Sequence, residues 1–156
     1  MTANRFAPRS STEQIEEGRV FSPKFDDNGL IPAIVADAWS GEVLMFAYMD
    51  EEALARSIES GEAWFYSRSR REQWKKGETS GHTLRILELR VDCDQDALLV
   101  RVEQAAKGAC HTGRVSCFYR AVTLREPAGH TLVLTPRDAE KVFDPAQVYG
   151  GKDETE

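Results

Sequence analysis

The chain has 156 residues, which suits one domain with a substantial core that needs no disulfide support. Its 41% hydrophobic and 29% charged residues are ordinary for a globular protein, and no apolar run is long enough to cross a bilayer. The first residues lack the apolar core of a secretory signal, so we expect a cytoplasmic protein with no membrane partner. A net charge of −6 disfavours nucleic acid as a partner.

The first part of the chain predicts an irregular leader followed by a hairpin. Residues 1–20 are polar without clear periodicity, which is typical of a mobile leader. Two apolar runs, at 30–37 and 42–49, flank the turn-forming residues 38–41, and this pattern predicts two antiparallel strands.

A short helix is predicted over about 51–60. Asp50 suits the N-cap position, and two glutamates follow it in the first turn, where negative charge is favourable. Gly61 suits the left-handed residue that ends a helix.

The rest of the chain is rich in strand candidates and ends in an extension. These candidates lie at 63–67, 87–94, 98–102 and 117–124. Proline suits the first helical turn, so Thr135–Pro136 could begin a second short helix, and the acidic residues 150–156 should be disordered. We therefore predict an α+β fold with mainly antiparallel strands and one or two short helices. The domain would occupy 21–125 and the extension 126–156.

Three cysteines, Cys93, Cys110 and Cys117, cannot all form disulfides within one chain. In a reducing compartment such a cluster indicates metal ligands or catalytic groups. Three thiolates leave one position of tetrahedral zinc open to water, unless His111 fills it and closes a structural site. An open position would let zinc lower the pKa of its water to about 7. Catalytic zinc, structural zinc and buried free thiols are the alternatives that the spacing leaves.

Alternation along 87–94 predicts a strand whose apolar face includes Leu87 and Cys93. The opposite side carries three carboxylates, those of Asp92, Asp94 and Asp96. Three like charges on one face repel each other unless a cation lies between them, and oxygen ligands suit Mg²⁺. The alternative is a turn at the end of a strand, where aspartate is common for backbone reasons.

A basic segment runs from Arg68 to Arg85, where six cations and two acids give a net charge of +4 against −10 elsewhere. Such a patch on an acidic protein suits a small phosphorylated ligand, or is a solvated face. The predicted ligand-binding residues are Arg68, Trp74, Lys75, Lys76, Thr79 and Ser80. Trp74 could instead anchor the loop in the core, and His82 could be a proton carrier or an ordinary surface histidine.

Five segments together resemble the phosphoribosyl-AMP cyclohydrolase family, which acts in histidine biosynthesis. They read EVLMFAYMDEEAL, GEAWFYSRSR, QWKKGETSGHT, VDCDQDALLVRV and GACHTGRVSCFYR. The resemblance covers about residues 30–120. Residues 127–156 match nothing that we can assign, and about 30 residues are too few for a fused second enzyme domain.

The resemblance implies a homodimer with its active site between subunits, in which a zinc-activated water attacks C6 of an N1-ribosylated adenine and opens the ring at N1–C6. Zinc would be held by Cys93 of one chain and by Cys110 and Cys117 of its partner. Magnesium would be held by Asp92, Asp94 and Asp96. His111 is the first candidate for general acid/base and His82 the second. The alternative function is a non-catalytic zinc module that grips RNA.

Overall fold

The structure is a computed structural model that describes residues 5–127, 129 and 131–149. Its elements in chain order are α1 (Thr12–Glu17), β1 (Leu30–Asp37), β2 (Val43–Asp50), α2 (Glu51–Ser60), β3 (Trp64–Ser67), β4 (Glu72–Lys75), β5 (Leu84–Val91), β6 (Leu98–Gln104), β7 (Arg120–Val122), β8 (Leu134–Pro136) and α3 (Pro145–Tyr149).

Six strands form one sheet in the order β4-β3-β2-β1-β6-β5, and β7 pairs with β8 separately. Only β1 and β6 run parallel within the described sheet, and every other adjacent pair is antiparallel. The predicted α+β class with mainly antiparallel strands is therefore confirmed. The described chain has three short helices, so the expectation of one or two was too low.

The sheet curls because the segment between α2 and β3 hydrogen-bonds to β5, the strand at the far edge of the sheet. Residues 61–63 bond to the start of β5, where Ala63 N–H donates to Leu84 O over 2.9 Å and Ile86 N–H donates to Gly61 O over 2.7 Å. One face of the curled sheet packs under α2, which contributes Ala53 and Leu54 to the core. None of the described helices is long and apolar enough to cross a membrane.

The predicted hairpin and the helix after it are confirmed. Asp37 Oδ1 accepts hydrogen bonds from Trp39 N and Ser40 N, which closes the turn between β1 and β2. At the start of α2, Asp50 Oδ1 accepts from Ala53 N over 2.8 Å, as the N-cap assignment requires. Gly61 ends α2 with a φ of 72°, a conformation that glycine adopts without steric cost.

Helix α1 lies inside the segment expected to be a mobile leader. Ser11 Oγ accepts from Gln14 N over 3.2 Å and caps the helix, and Ile15 is buried. The pattern Ser-x-x-Gln is a capping signature, which the polar composition of the segment obscured. Residues 11–20 are thus helical in part and packed on the domain.

The short helix expected at Thr135–Pro136 was wrong. These residues belong to β8, because Thr135 pairs with Ala121 of β7 and this pairing overrides the local proline signal. The helix lies nine residues later, where Asp144 Oδ1 accepts from Ala146 N and Pro145 takes the first position of α3. The acidic segment 150–156 lies outside the described residues.

A β-bulge in β5 breaks the alternation that the sequence predicts there. The register shifts between Ile86 and Glu88, so Leu87 has no partner in β6. The side chain of Leu87 is consequently exposed, and the single apolar face expected for the strand was wrong at this position. Beyond the bulge the pairing continues to Val91, which lies opposite Leu98.

Candidate metal and catalytic site

Asp92, Asp94 and Asp96 lie in a turn between β5 and β6, which we call the acidic turn (residues 92–96). One carboxylate oxygen from each lies within 4.8 Å of the others. Among the described residues, no other group of three or more metal-ligating side chains meets this distance. The strand expected to continue to Asp94 ends at Val91, so a turn rather than strand alternation brings the three oxygen donors together. This donor set suits a hard cation such as Mg²⁺.

The carboxylate of Asp92 also builds the turn. Its Oδ1 accepts hydrogen bonds from Asp96 N over 2.9 Å and from Ala97 N over 3.1 Å. The turn and metal interpretations of the aspartates are therefore compatible, since both backbone bonds use the same oxygen of Asp92.

Hydrogen bonding within the acidic turn shifts the pKa values of Asp96 and Asp92. Hydrogen bonding to Asp92, then to Asp94, raises the pKa of Asp96 to about 6. Burial alone would raise the pKa of Asp92, but hydrogen bonds from the Asp96 carboxyl and from the backbone of residues 96 and 97 lower it. A divalent cation would replace the shared proton, because it neutralises the same charges.

Gln95 locks the acidic turn to the N-terminal segment. Its φ is +59°, and its buried side chain accepts from Ser22 N over 2.8 Å and donates to Ile15 O over 3.0 Å and Val20 O over 3.3 Å. The sequence pattern did not indicate this role. The only local signal was a glutamine between two aspartates, which says nothing about a partner about 75 residues away.

Cys110 and Cys117 lie together at the opposite end of β5, in what we call the cysteine loop (residues 108–117). Cys117 N donates to Leu44 O over 2.7 Å, which fixes the loop beside β2. Cys110 is buried, and its Sγ lies 2.9 Å from Thr112 Oγ1. Hydrogen bonding from Cys117, opposed by burial but supported by Thr112 and the charge of His111, lowers the pKa of Cys110 to about 5.

Cys93 does not join these two thiols within one chain. It is exposed in the acidic turn, past the end of β5, whereas His82 contacts Gly108 of the cysteine loop just before β5 begins. The eight residues of β5 span roughly 23 Å. Two thiolates on one zinc lie within about 4.6 Å, twice the Zn–S bond length. The sequence therefore provides three cysteines, and a single chain brings together two.

The two candidate acid/base histidines differ in how firmly they are held. His82 Nδ1 lies 3.3 Å from Gly108 O, its backbone N donates to Ser80 Oγ over 3.1 Å, and its ring meets Phe143 edge-on at 4.7 Å. His111 is exposed beside Cys110. A proton on Nδ1 of His82 would bond to Gly108 O and leave Nε2 as the lone-pair nitrogen.

The basic segment is spread along two strands and the loop that follows. The Arg68 guanidinium stacks on Tyr48 at 4.4 Å, and Lys75 Nζ pairs with Glu62 at 2.7 Å. Trp74 packs against Phe65 with centroids 5.0 Å apart, which is the anchoring role, and Lys76 is buried beside it. Thr79 is exposed and Ser80 half-buried, the latter facing His82 N.

A converging carboxylate triad and a thiol pair with a histidine alongside are the side-chain groups of a candidate hydrolase site. A family model described as phosphoribosyl-AMP cyclohydrolase matches residues 45–119. A phosphoribosyl-AMP cyclohydrolase of Rhodopseudomonas palustris is 56% identical over 142 residues, which cover 91% of this chain and 95% of that protein. One from Nitrobacter winogradskyi is 55% identical over 142 residues, covering 91% and 96%. The chain therefore belongs to the phosphoribosyl-AMP cyclohydrolase family, hydrolases of the histidine pathway, as the motifs indicated.

Proposed function

We propose that this chain catalyses hydrolytic opening of the adenine ring of phosphoribosyl-AMP. One water adds at C6, its oxygen becomes the carboxamide oxygen, and N1 takes a proton as the N1–C6 bond breaks. The observation that carries the proposal is identity of 56% across 91% of the chain with a relative of that name. The thiols and carboxylates described above lie within that length.

The donor chemistry of the cysteine loop fits zinc. Zinc takes cysteine as thiolate, and a Cys110 pKa of about 5 favours the thiolate at neutral pH. Cys110 and Cys117 would supply two ligands, and Cys93 of a second chain the third. Bound zinc would lower the pKa of a coordinated water towards 7 and so supply a nucleophile at neutral pH.

A homodimer follows from the separation of the cysteines. Because Cys93 and Cys110 lie at opposite ends of β5, a three-thiolate site needs two chains. The sheet face away from α2 also favours pairing, since Ile34 lies between Phe46 and Leu99 in register. Ile34 and Phe46 are 38% and 42% exposed, so an apolar strip crosses three strands where a second copy would cover it.

The remaining proposed roles belong to side chains in or near the acidic turn and the cysteine loop. Magnesium at the acidic turn would neutralise phosphate or order the nucleotide. His111, beside the zinc ligands, is our first candidate for moving a proton to or from the reacting atoms, and His82 the second. Arg68, Lys75 and Lys76, with Thr79 and Ser80, would hold phosphate through charge-assisted contacts, and Trp74 would support them. We expect the enzyme in the cytoplasm.

The test is turnover of phosphoribosyl-AMP after chelation, with zinc and magnesium restored separately and together. We expect no turnover in the chelated protein, partial recovery with zinc alone and full recovery with both metals. Full activity in the chelated, metal-free protein would overturn the scheme. The alternative, an RNA-gripping zinc module, instead predicts no turnover with any metal and salt-sensitive binding to RNA.

A further inference from the structure

The C-terminal strap, residues 139–149, lies across the cysteine loop and outside the segment that the family model matches. Arg114 Nε donates to Ala139 O over 3.1 Å, and Val142 N donates to Gly113 O over 2.7 Å. These two bonds tie the strap to the stretch between Cys110 and Cys117. One bond joins the Arg114 side chain to the strap backbone and the other joins two backbone groups, so hydrogen bonds hold the strap against the loop.

Phe143 is the side chain that the strap inserts. Its ring covers Gly108 so closely that a Cβ at position 108 would lie 2.5 Å from Phe143 Cε1. Gly108 also has a φ of +114°, which an ordinary side chain rarely adopts. Gly113 shows the same fit, because a Cβ there would lie 2.5 Å from Phe143 O. Two glycines of the cysteine loop thus make room for one residue of the strap.

The same ring borders the imidazole of His82. The two rings meet at 4.7 Å and 80°, an edge-to-face contact, and Tyr149 packs behind Phe143 at 6.1 Å. His82 Nδ1 faces Gly108 O, the carbonyl of the residue that Phe143 covers. A hydrogen bond shielded from water on one side is stronger and better oriented than an exposed one.

We propose that Phe143 is a positioning residue for His82: it holds the imidazole against Gly108 O, which keeps the proton on Nδ1 and directs Nε2 away from the loop as the free nitrogen. The proposal rests on the proposed function in one respect, because it gives His82 a part in the reaction. The placement and tautomer of His82 can be measured without turnover, so the two can fail separately.

A double-mutant cycle tests the effect on catalysis. His82→Asn keeps an amide donor near the place of Nδ1 and removes Nε2, and we expect it to lower kcat on the order of 100-fold. Phe143→Ala should lower kcat about tenfold with KM within about twofold. In the His82→Asn background the Phe143→Ala loss should vanish, whereas a merely structural role would leave it undiminished.

Two further variants serve as controls for misfolding and for general effects of substitutions in the C-terminal region. Phe143→Leu keeps apolar volume over Gly108, so it should fold and recover much of the lost kcat. If Phe143→Ala does not fold, Phe143→Leu replaces it in the cycle, and its smaller loss of kcat should likewise vanish in the His82→Asn background. Val133→Ala removes an exposed apolar side chain of the same C-terminal region and should leave kcat unchanged. A full Phe143 effect in the His82→Asn background would overturn the proposal.

Nitrogen NMR of the zinc- and magnesium-loaded protein tests the placement directly. The chain has three histidines, and the signals lost in His82→Asn identify those of His82. We expect a proton fixed on Nδ1 in the wild type and an averaged pair of nitrogen shifts in Phe143→Ala. If the wild type does not turn over phosphoribosyl-AMP, the proposed function fails, and this spectrum alone then tests whether Phe143 positions His82. Superimposable His82 signals in both proteins would refute the positioning role.

Discussion

The acidic turn is complete within one chain, whereas the cysteine loop holds two of the three thiols expected to bind zinc. In the acidic turn the candidate ligands are two residues apart, so one turn brings an oxygen of each within 4.8 Å of the others. In the cysteine loop the missing thiol belongs to a turn at the far end of β5. The aspartates, close in sequence, converge by local geometry, whereas Cys93 would reach the other two thiols only in an assembly of two chains.

The two regions share one feature, which is that a terminal segment secures each. Gln95 fastens the acidic turn to residues 15–22, and Phe143 fastens the cysteine loop to the C-terminal strap. Both segments lie outside residues 45–119, the part that the family model matches. A segment before and a segment after the matched part therefore contact the two loops of the candidate site.

The largest effect should come from breaking the assembly of the cysteine site. We expect Cys93→Ser and Cys110→Ser each to lose activity on the order of 1,000-fold, because each removes a ligand from every site. Mixing the two inactive proteins and allowing exchange should restore about a quarter of wild-type activity, since half of the dimers carry one intact site. A mixture that stays inactive would place all three thiols in one chain.

The next largest effect should come from removing the hydrogen bonds that the Gln95 side chain makes. Gln95→Ala leaves Ser22 N and the carbonyls of Ile15 and Val20 without their partner, which should cost about 2–3 kcal/mol of unfolding free energy. Urea unfolding measures it. Gln147→Ala, at an exposed position of α3, is the matched control and should change little. An equal loss in both variants would mean that the N-terminal segment contributes nothing particular to the turn.

A smaller effect is expected on magnesium affinity. Asp94→Asn removes one converging charge but none of the backbone bonds that Asp92 accepts, so it should weaken magnesium binding about tenfold without loss of stability. Calorimetric titration of the zinc-loaded protein measures the change. Asp27→Asn, an exposed aspartate in another loop, serves as control. An unchanged titration for Asp94→Asn would remove this residue from the proposed magnesium site.

The smallest effect is a pH dependence of the metal-free acidic turn. The folded-state pKa of Asp96 is raised to about 6 from its ordinary 3.8, so its proton stabilises the fold below about 4, and this contribution is lost as pH rises through 6. Asp96→Asn keeps the neutral form and should raise the melting temperature by about 1 °C at pH 7.5. The difference from wild type should vanish near pH 4. A constant difference at all pH values would contradict the shared proton.

Local signals predicted the elements that short-range bonds specify. The cap at Asp50, the end at Gly61 and the turn at 38–41 all follow from side-chain and backbone preferences within four residues. The capping pattern at Ser11 carried the same information for α1. The bulge at Leu87 and the strand at Thr135 could not be predicted in this way, because strand partners decided them.

By itself the sequence determined the candidate ligand types, their number and the resemblance to the family. Three cysteines, three alternating aspartates and two candidate histidines are visible in the printed chain. Tertiary structure decided how they are distributed, because β6 returns beside β1 and separates Cys93 from Cys110 by the length of β5. It also decided that Phe143 borders His82, a contact between positions 61 residues apart. Sequence periodicity does not predict such contacts between distant residues, since they depend on which strands pair and which segments pack.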